Sequence, residues 1–161
     1  MVPKFIVDSN VGKLARWLRM MGYDAVFFDE IDDGRMVKTA LSQNRTIITK
    51  DSEFMKRRAI ISGRVKSILV KGDDPEVQMQ TVIHSLDLNV SYKPFTRCLE
   101  CNTLLVEEAE NDVKGRVPPF VERTFHRFHH CPGCGRDYWE GSHFQAMLGE
   151  VKELEARMKK T

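Results

Sequence analysis

The chain has 161 residues, a hydrophobic share of 42%, a charged share of 30% and a formal net charge of +2. That length suits one domain, or one domain with a small appendage, and is enough to bury a real core. The net charge is too small to name a partner, and no run of about eighteen apolar residues is present to span a bilayer.

Met1-Val2-Pro3-Lys4 leads directly into a strand without a signal-peptide apolar region, so a cytoplasmic location is expected. The pattern then predicts a strand over 4–8 and a helix over 11–21 stopped by Gly22. A strand over 25–28 precedes a helix over about 34–43, and a strand over 46–49 precedes a helix over about 52–62. The last pair is a strand over 66–70 and a helix to about 87, opened by Asp74 as N-cap and Pro75 in the first turn. Short β-branched runs alternating with helical patterns imply βαβ units and a parallel sheet, in a three-layer α/β sandwich. Pro94 marks a boundary, which divides the chain into 1–95 and 96–161. From 98 to 140 the segments are short, and the acid-rich stretch 107–112 reads as a solvated loop. A helix from Ser142 carries an apolar stripe of Phe144, Met147, Leu148, Val151, Leu154 and Met158, which reads as packing surface.

In a parallel sheet all strands point one way and ligands bind at the carboxyl edge. Asp8 ends the first strand, Asp33 follows the second, and Asp51 and Glu53 follow the third. Unit charges about 4 Å apart repel by roughly 4 kcal/mol at an effective dielectric near 20. Crowded carboxylates therefore protonate in part unless a cation joins them, and hard oxygen ligands select Mg²⁺ or Mn²⁺. Such an ion suits phosphodiester hydrolysis. Helix capping competes with this reading at Asp33 and Asp51. It competes less at Asp8, because Ser9 or Asn10 is available to cap the first helix. Asp32 reads as a neighbour rather than a ligand, and Asn10 as a donor to phosphate or a metal contact.

On the first helix Val11, Leu14, Ala15, Leu18 and Met21 share an apolar face. Lys13 and Arg16 point away from it, with Trp17 beside them and Arg19 on the flank. A basic and aromatic surface beside an acidic pocket suits a nucleic-acid backbone, and a plain solvated face is the competing reading. Lys50, Lys56, Arg57 and Arg58 extend the same track.

The four cysteines form Cys98-x-x-Cys101 and Cys131-x-x-Cys134, two knuckles separated by 29 residues. Two matched knuckles in a chain without an export signal favour a closed structural zinc site over disulfides or redox chemistry. His126, His129 and His130 lie close in sequence but are not needed as ligands.

Three motifs together carry a resemblance. They are Asp8 with Leu14-Ala15-Arg16-Trp17-Leu18-Arg19 and Gly22-Tyr23-Asp24, then Ile48-Thr49-Lys50-Asp51, then the knuckles followed by Tyr138-Trp139-Glu140-Gly141-Ser142-His143. The chain resembles, over roughly residues 4–148, the RNase domain named from the carboxyl end of the Mut-seven exonucleases, a PIN-like α/β/α sandwich with an appended zinc ribbon and, here, a C-terminal helix. The resemblance implies a metal-dependent ribonuclease. Asp8 matches the first-strand acid, and Asp33 the acid opening the second helix. Asp51 matches the acid of a Thr-Arg-Asp motif in which Lys50 replaces arginine, losing its two-pronged geometry. Glu53 stands where related proteins often have a further Asp.

The expectation is therefore a ribonuclease with Asp8, Asp33 and Asp51 on Mg²⁺ or Mn²⁺ and Glu53 completing the site. Asn10, Lys13, Arg16, Arg19 and Lys50 would bind RNA, with structural zinc on Cys98, Cys101, Cys131 and Cys134. Two alternatives stand beside it. One is an RNA-binding module that keeps the fold without catalysis. The other is a small-molecule phosphatase, against which Asp8-Ser9-Asn10 counts because an aspartyl nucleophile needs Asp-x-Asp.

Overall fold

Four short strands set the frame of the computed structural model, which describes residues 1–160. They are β1 (Lys4–Val7), β2 (Ala25–Phe27), β3 (Arg45–Thr49) and β4 (Ser67–Leu69), and all pair in parallel in the order β2-β1-β3-β4. Phe5 stands opposite Ala25, Ile6 opposite Ile47, and Ile48 opposite Ile68. Because side chains alternate along a strand, Phe5, Val7, Ile48 and Ile68 join one core, while Ile6 and Ile47 join the other. On the first face lie α1 (Lys13–Met20) and α4 (Pro75–Leu86), bringing Leu14, Leu18, Met79, Val82 and Ile83. The opposite face receives α2 (Asp33–Gln43) and the short α3 (Arg58–Ile61), through Met36, Ala40 and Ile60. The expected α/β sandwich is thus present. The chain leaves β1 towards β2 on one side and later places β3 on the other, so the switch point lies between β1 and β3.

The elements differ from expectation in three places. The segment after β1 starts as a 3₁₀ turn, Ser9–Val11, whose N-cap is Asp8 itself and not Ser9 or Asn10. The helix expected over 52–62 is split into a 3₁₀ turn, Phe54–Lys56, and α3. Arg57 breaks it by taking an extended conformation (ψ 142°) with its guanidinium on Asp33. The stretch 107–112 is not a loop. Val106–Glu108 is a strand (β5), held by backbone pairing with residues 128–130, and Glu110–Asp112 a 3₁₀ turn; Glu107 meets Arg127 and Glu108 meets Arg116.

β5 pairs antiparallel with β6 (Phe128–His130), and β6 with β7 (Asp137–Trp139). Between β5 and β6 lies α5 (Pro119–Thr124), whose Val121 packs with Val113, Val117 and Phe128 in a small separate core. The final helix, α6 (Ser142–Lys159), returns to the first unit and buries Met147, Val151 and Leu154 in the core shared with α1 and α4. The division at residue 95 separates the two sheets, but α6 packs with the first of them. Of its expected apolar stripe, these three residues are buried.

The Pro94 region is not a free linker. Lys93 and Phe95 donate their backbone N–H groups to Met21 and Met20, at 3.0 Å each. Gly22, at φ +97°, lets this segment pass, since a Cβ there would lie 2.2 Å from the Lys93 carbonyl oxygen. No helix among the described residues is long and apolar enough to cross a membrane.

Candidate active site and four-cysteine cluster

The ends of β1 and β3 meet at the switch point, where α/β sheets place their ligands. Asp8 is only 8% exposed. Its Oδ1 accepts the backbone N–H of Ser9 at 2.8 Å, and its Oδ2 accepts the hydroxyl of Thr49 at 2.7 Å. Thr49 Oγ1 in turn accepts the N–H of Asp51 at 3.1 Å. Asp51 uses Oδ1 to accept the N–H groups of Glu53 and Phe54, at 2.9 and 3.3 Å. The Thr49 hydroxyl therefore links the Asp8 carboxylate to the backbone of Asp51 across the ends of neighbouring strands. Asn10 ties the same rim together by accepting the N–H of Lys50 at 3.4 Å.

The other predicted residues take varied places. Asp32, not Asp33, caps α2 by accepting the N–H of Arg35 at 2.8 Å. Asp33 occupies the first helical turn and pairs with Arg57 at 3.4 Å. Glu53 is exposed and pairs with Lys56. Among the described residues, Asp8, Asp33 and Asp51 do not bring ligand oxygens within 4.8 Å of one another. In this arrangement Asp8 is satisfied by the Ser9 N–H and Thr49, Asp51 by the N–H groups of Glu53 and Phe54, and Asp33 by Arg57. The donor chemistry still suits a hard divalent cation.

Lys13 is exposed and Lys50 reaches Asp73. Arg16 pairs with Glu100 at 2.9 Å and lies 3.2 Å from His143 Nε2. Trp17 is half-buried against the first core rather than displayed. Arg19 corrects the expectation most firmly, at only 6% exposed. Its Nε donates to the Ala25 carbonyl at 2.9 Å and its Nη1 to the Leu99 carbonyl at 2.8 Å, inside the first knuckle. Burial lowers its pKa, opposed by the nearby Cys98, Cys101, Glu100 and Asp24. It fastens two units together, with Nε and Nη1 both committed to backbone carbonyls.

A second tether comes from Asp24, which accepts Arg45 at 2.7 Å and the Asn102 amide at 2.7 Å, while Asn102 Oδ1 accepts the N–H of Ala25 at 3.0 Å. Burial raises the Asp24 carboxyl, but these hydrogen bonds and the charges of Arg45 and Arg97 outweigh it, and its pKa is lowered.

The four sulfurs converge. Cys98 and Cys134 lie 3.6 Å apart, and Cys101 and Cys131 lie 3.3 Å apart. Zn–S bonds of about 2.3 Å in a tetrahedron require sulfur separations of about 3.8 Å, so the cluster fits a zinc ribbon. Gly133 is needed because a Cβ there would meet Thr103 Oγ1 at 2.4 Å and Cys101 Sγ at 3.2 Å. Burial raises Cys131 to about 12. At Cys101 burial acts the same way, but hydrogen bonds from Thr103 and the neighbouring sulfurs prevail, leaving about 6. The Tyr138 hydroxyl lies 3.1 Å from Cys98 Sγ.

Glu108, His130 and Asp137 also bring ligand atoms within 4.8 Å of one another. Arg116 already pairs with both carboxylates and His130 Nδ1 lies 2.9 Å from Asp137, so this is an ion-pair network clamping the loop before α5 onto the ribbon sheet. It and Thr49 are the polar features that sequence reading missed. For Thr49 the available signal was a hydroxyl residue at a strand end, two positions before an acid.

A parallel α/β sandwich with acids at its switch point, carrying a four-cysteine ribbon docked on its first helix, defines the class of this protein. The family model described as "Mut7-C RNAse domain" matches residues 3–151, and the chain belongs to that family. No curated protein and no solved structure gives a significant match.

Proposed function

We propose that this protein is a ribonuclease that hydrolyses RNA phosphodiester bonds at the rim joining β1 and β3, with Mg²⁺ or Mn²⁺ as cofactor. The observation that carries the reading is the Asp8–Thr49–Asp51 array, two acids just past the ends of adjacent strands at the switch point, and family membership supports it. Asp8 and Asp51 would hold the ion, joined by Asp33 once Arg57 releases it. When bound, a divalent ion offsets the charge of the phosphodiester and lowers the pKa of water. Thr49 keeps the Asp8 carboxylate oriented and Glu53 accepts a proton from water at the rim. Lys13, Arg16 and Lys50 meet the RNA backbone, the last two exchanging Glu100 and Asp73 for phosphate. The zinc bound by the four thiolates is structural, since four sulfurs leave no open position.

A specific observation favours a second reading, an RNA-binding protein without catalysis. Asp33 and Glu53 are held by Arg57 and Lys56, and Asp8, Asp33 and Asp51 do not form a three-ligand cluster within 4.8 Å. Incubating the protein with end-labelled single-stranded RNA, structured RNA and DNA across Mg²⁺ and Mn²⁺ concentrations separates the two. The nuclease reading expects metal-dependent fragments from RNA. Retention of intact RNA at every metal concentration would establish the binding protein instead.

A further inference from the structure

Two cavities adjoin along the seam between α1 and the first knuckle. The smaller, about 460 Å³, is lined by Gly12, Lys13, Phe27 and Asp29. The larger, about 520 Å³, lies between residues 94–99 and the segment joining β7 to α6. Arg16, Leu99 and Glu100 line both. They form one groove, crossed by the Arg16–Glu100 pair, whose side chains are about half exposed and so easily parted. Gly12, which lines the smaller cavity, directly follows the 3₁₀ turn that Asp8 caps.

The larger cavity has the lining a nucleotide needs. Phe95, Tyr138, Trp139 and Phe144 supply aromatic surface. Phe95 sits at φ +60°, a conformation that bulky residues rarely adopt and that gathers at ligand clamps. Its ring lies 4.3 Å from that of Phe144. The charges also favour an anion. Glu100 is held by Arg16, and Asp137 by Arg116 and His130. Among the described residues, Arg97 and Arg136 have no carboxylate within ion-pair distance, against the single unpaired acid Glu140. Arg97 donates Nε and Nη1 to the Gly22 and Asn102 carbonyls and Arg136 Nη1 lies 3.8 Å from Cys134 Sγ, so both keep their charge and other N–H groups for an anion. His143 adds an exposed imidazole at the mouth. Aromatic faces with guanidinium groups take bases that are unstacked and their phosphates, whereas a paired base offers no free face.

We propose that this cleft seats one unpaired nucleotide of a single-stranded RNA whose backbone follows the groove over α1 to the acid rim. The path rests on the nuclease reading above, while the cleft's preference for unpaired RNA can be measured without cleavage. Asp8→Asn protein serves as the non-cleaving parent, titrated by fluorescence anisotropy with a labelled oligouridylate of about 12 nucleotides and with a blunt RNA duplex. Trp139→Leu and His143→Glu are then added separately to that parent. Each is expected to weaken oligouridylate binding about tenfold with little change for the duplex. Equal affinity of parent and both derivatives for the oligouridylate would overturn the proposal, as would equal preference of the parent for duplex. Circular dichroism and zinc content report folding. If Trp139→Leu fails to fold, His143→Glu carries the test, since His143 is exposed. Wild-type cleavage of the same RNA is scored separately. Cleavage with unaltered variant affinity sinks the cleft and leaves the nuclease, and loss of affinity without wild-type cleavage does the reverse.

Discussion

Arg19 of α1 and Leu99 of the first knuckle, 80 positions apart in the chain, are joined by a 2.8 Å hydrogen bond from guanidinium to carbonyl. The same side chain satisfies the Ala25 carbonyl at the start of β2. A buried guanidinium spanning a helix, a strand and a knuckle is a structural fastening. Arg19→Met leaves two carbonyls without their donor and is expected to cost about 2–4 kcal/mol. The shift of the urea midpoint measures it. RNA affinity per folded molecule should stay within about twofold, because Nε and Nη1 are already committed to the Ala25 and Leu99 carbonyls.

Thr49 offers a sharper probe of the rim than any acid. Its hydroxyl donates to Asp8 and accepts from the Asp51 backbone. Thr49→Val keeps the side-chain shape and removes both bonds. Stability should fall by about 1–3 kcal/mol, and RNA cleavage by about 10- to 100-fold through misorientation of Asp8. Single-turnover rates on labelled RNA check this against a thermal melt of the same sample.

Asp24 makes the seam sensitive to pH. Its folded-state pKa is lowered, so its contribution is complete above the ordinary carboxylate value near 4 and is lost as pH falls through the lower folded value. The stability difference between wild type and Asp24→Asn should be constant at neutral pH and shrink below about pH 4. Urea midpoints of the pair across that range give the comparison.

The four-thiol cluster should bind one zinc per chain, and uptake should release protons, because Cys131 at about 12 is a thiol at neutral pH. Zinc affinity is therefore expected to fall as pH is lowered. Cys131→Ser should lose the metal and disorder the ribbon, and since Leu99 and α6 share the first core, the sheet domain should lose stability as well. Metal analysis with a melt of the variant reads both effects.

Much of this arrangement is legible from local pattern. The strands, the Asp74-Pro75 opening of α4 and the knuckles all depend on neighbours in sequence, and β1 and β3 end where their acids predict. Asp32 and Asp33 could not be told apart, because either of two adjacent acids can cap a helix and only the Arg35 N–H decides. Arg57 looked like a phosphate ligand because nothing local reveals that α2 brings Asp33 to it. Arg19 lies four positions after Ala15, at the border of the apolar stripe. That hinted at burial, but its partner lies beyond the reach of any periodicity.

The central claim is that Asp8 works chemically at the rim, and single-turnover cleavage of labelled RNA by wild type and Asp8→Asn in Mg²⁺ or Mn²⁺ tests it most directly. Loss of cleavage by at least about 1,000-fold is predicted, with the circular dichroism spectrum and zinc content of the variant retained. A folded Asp8→Asn protein that cuts RNA at the wild-type rate would contradict the account.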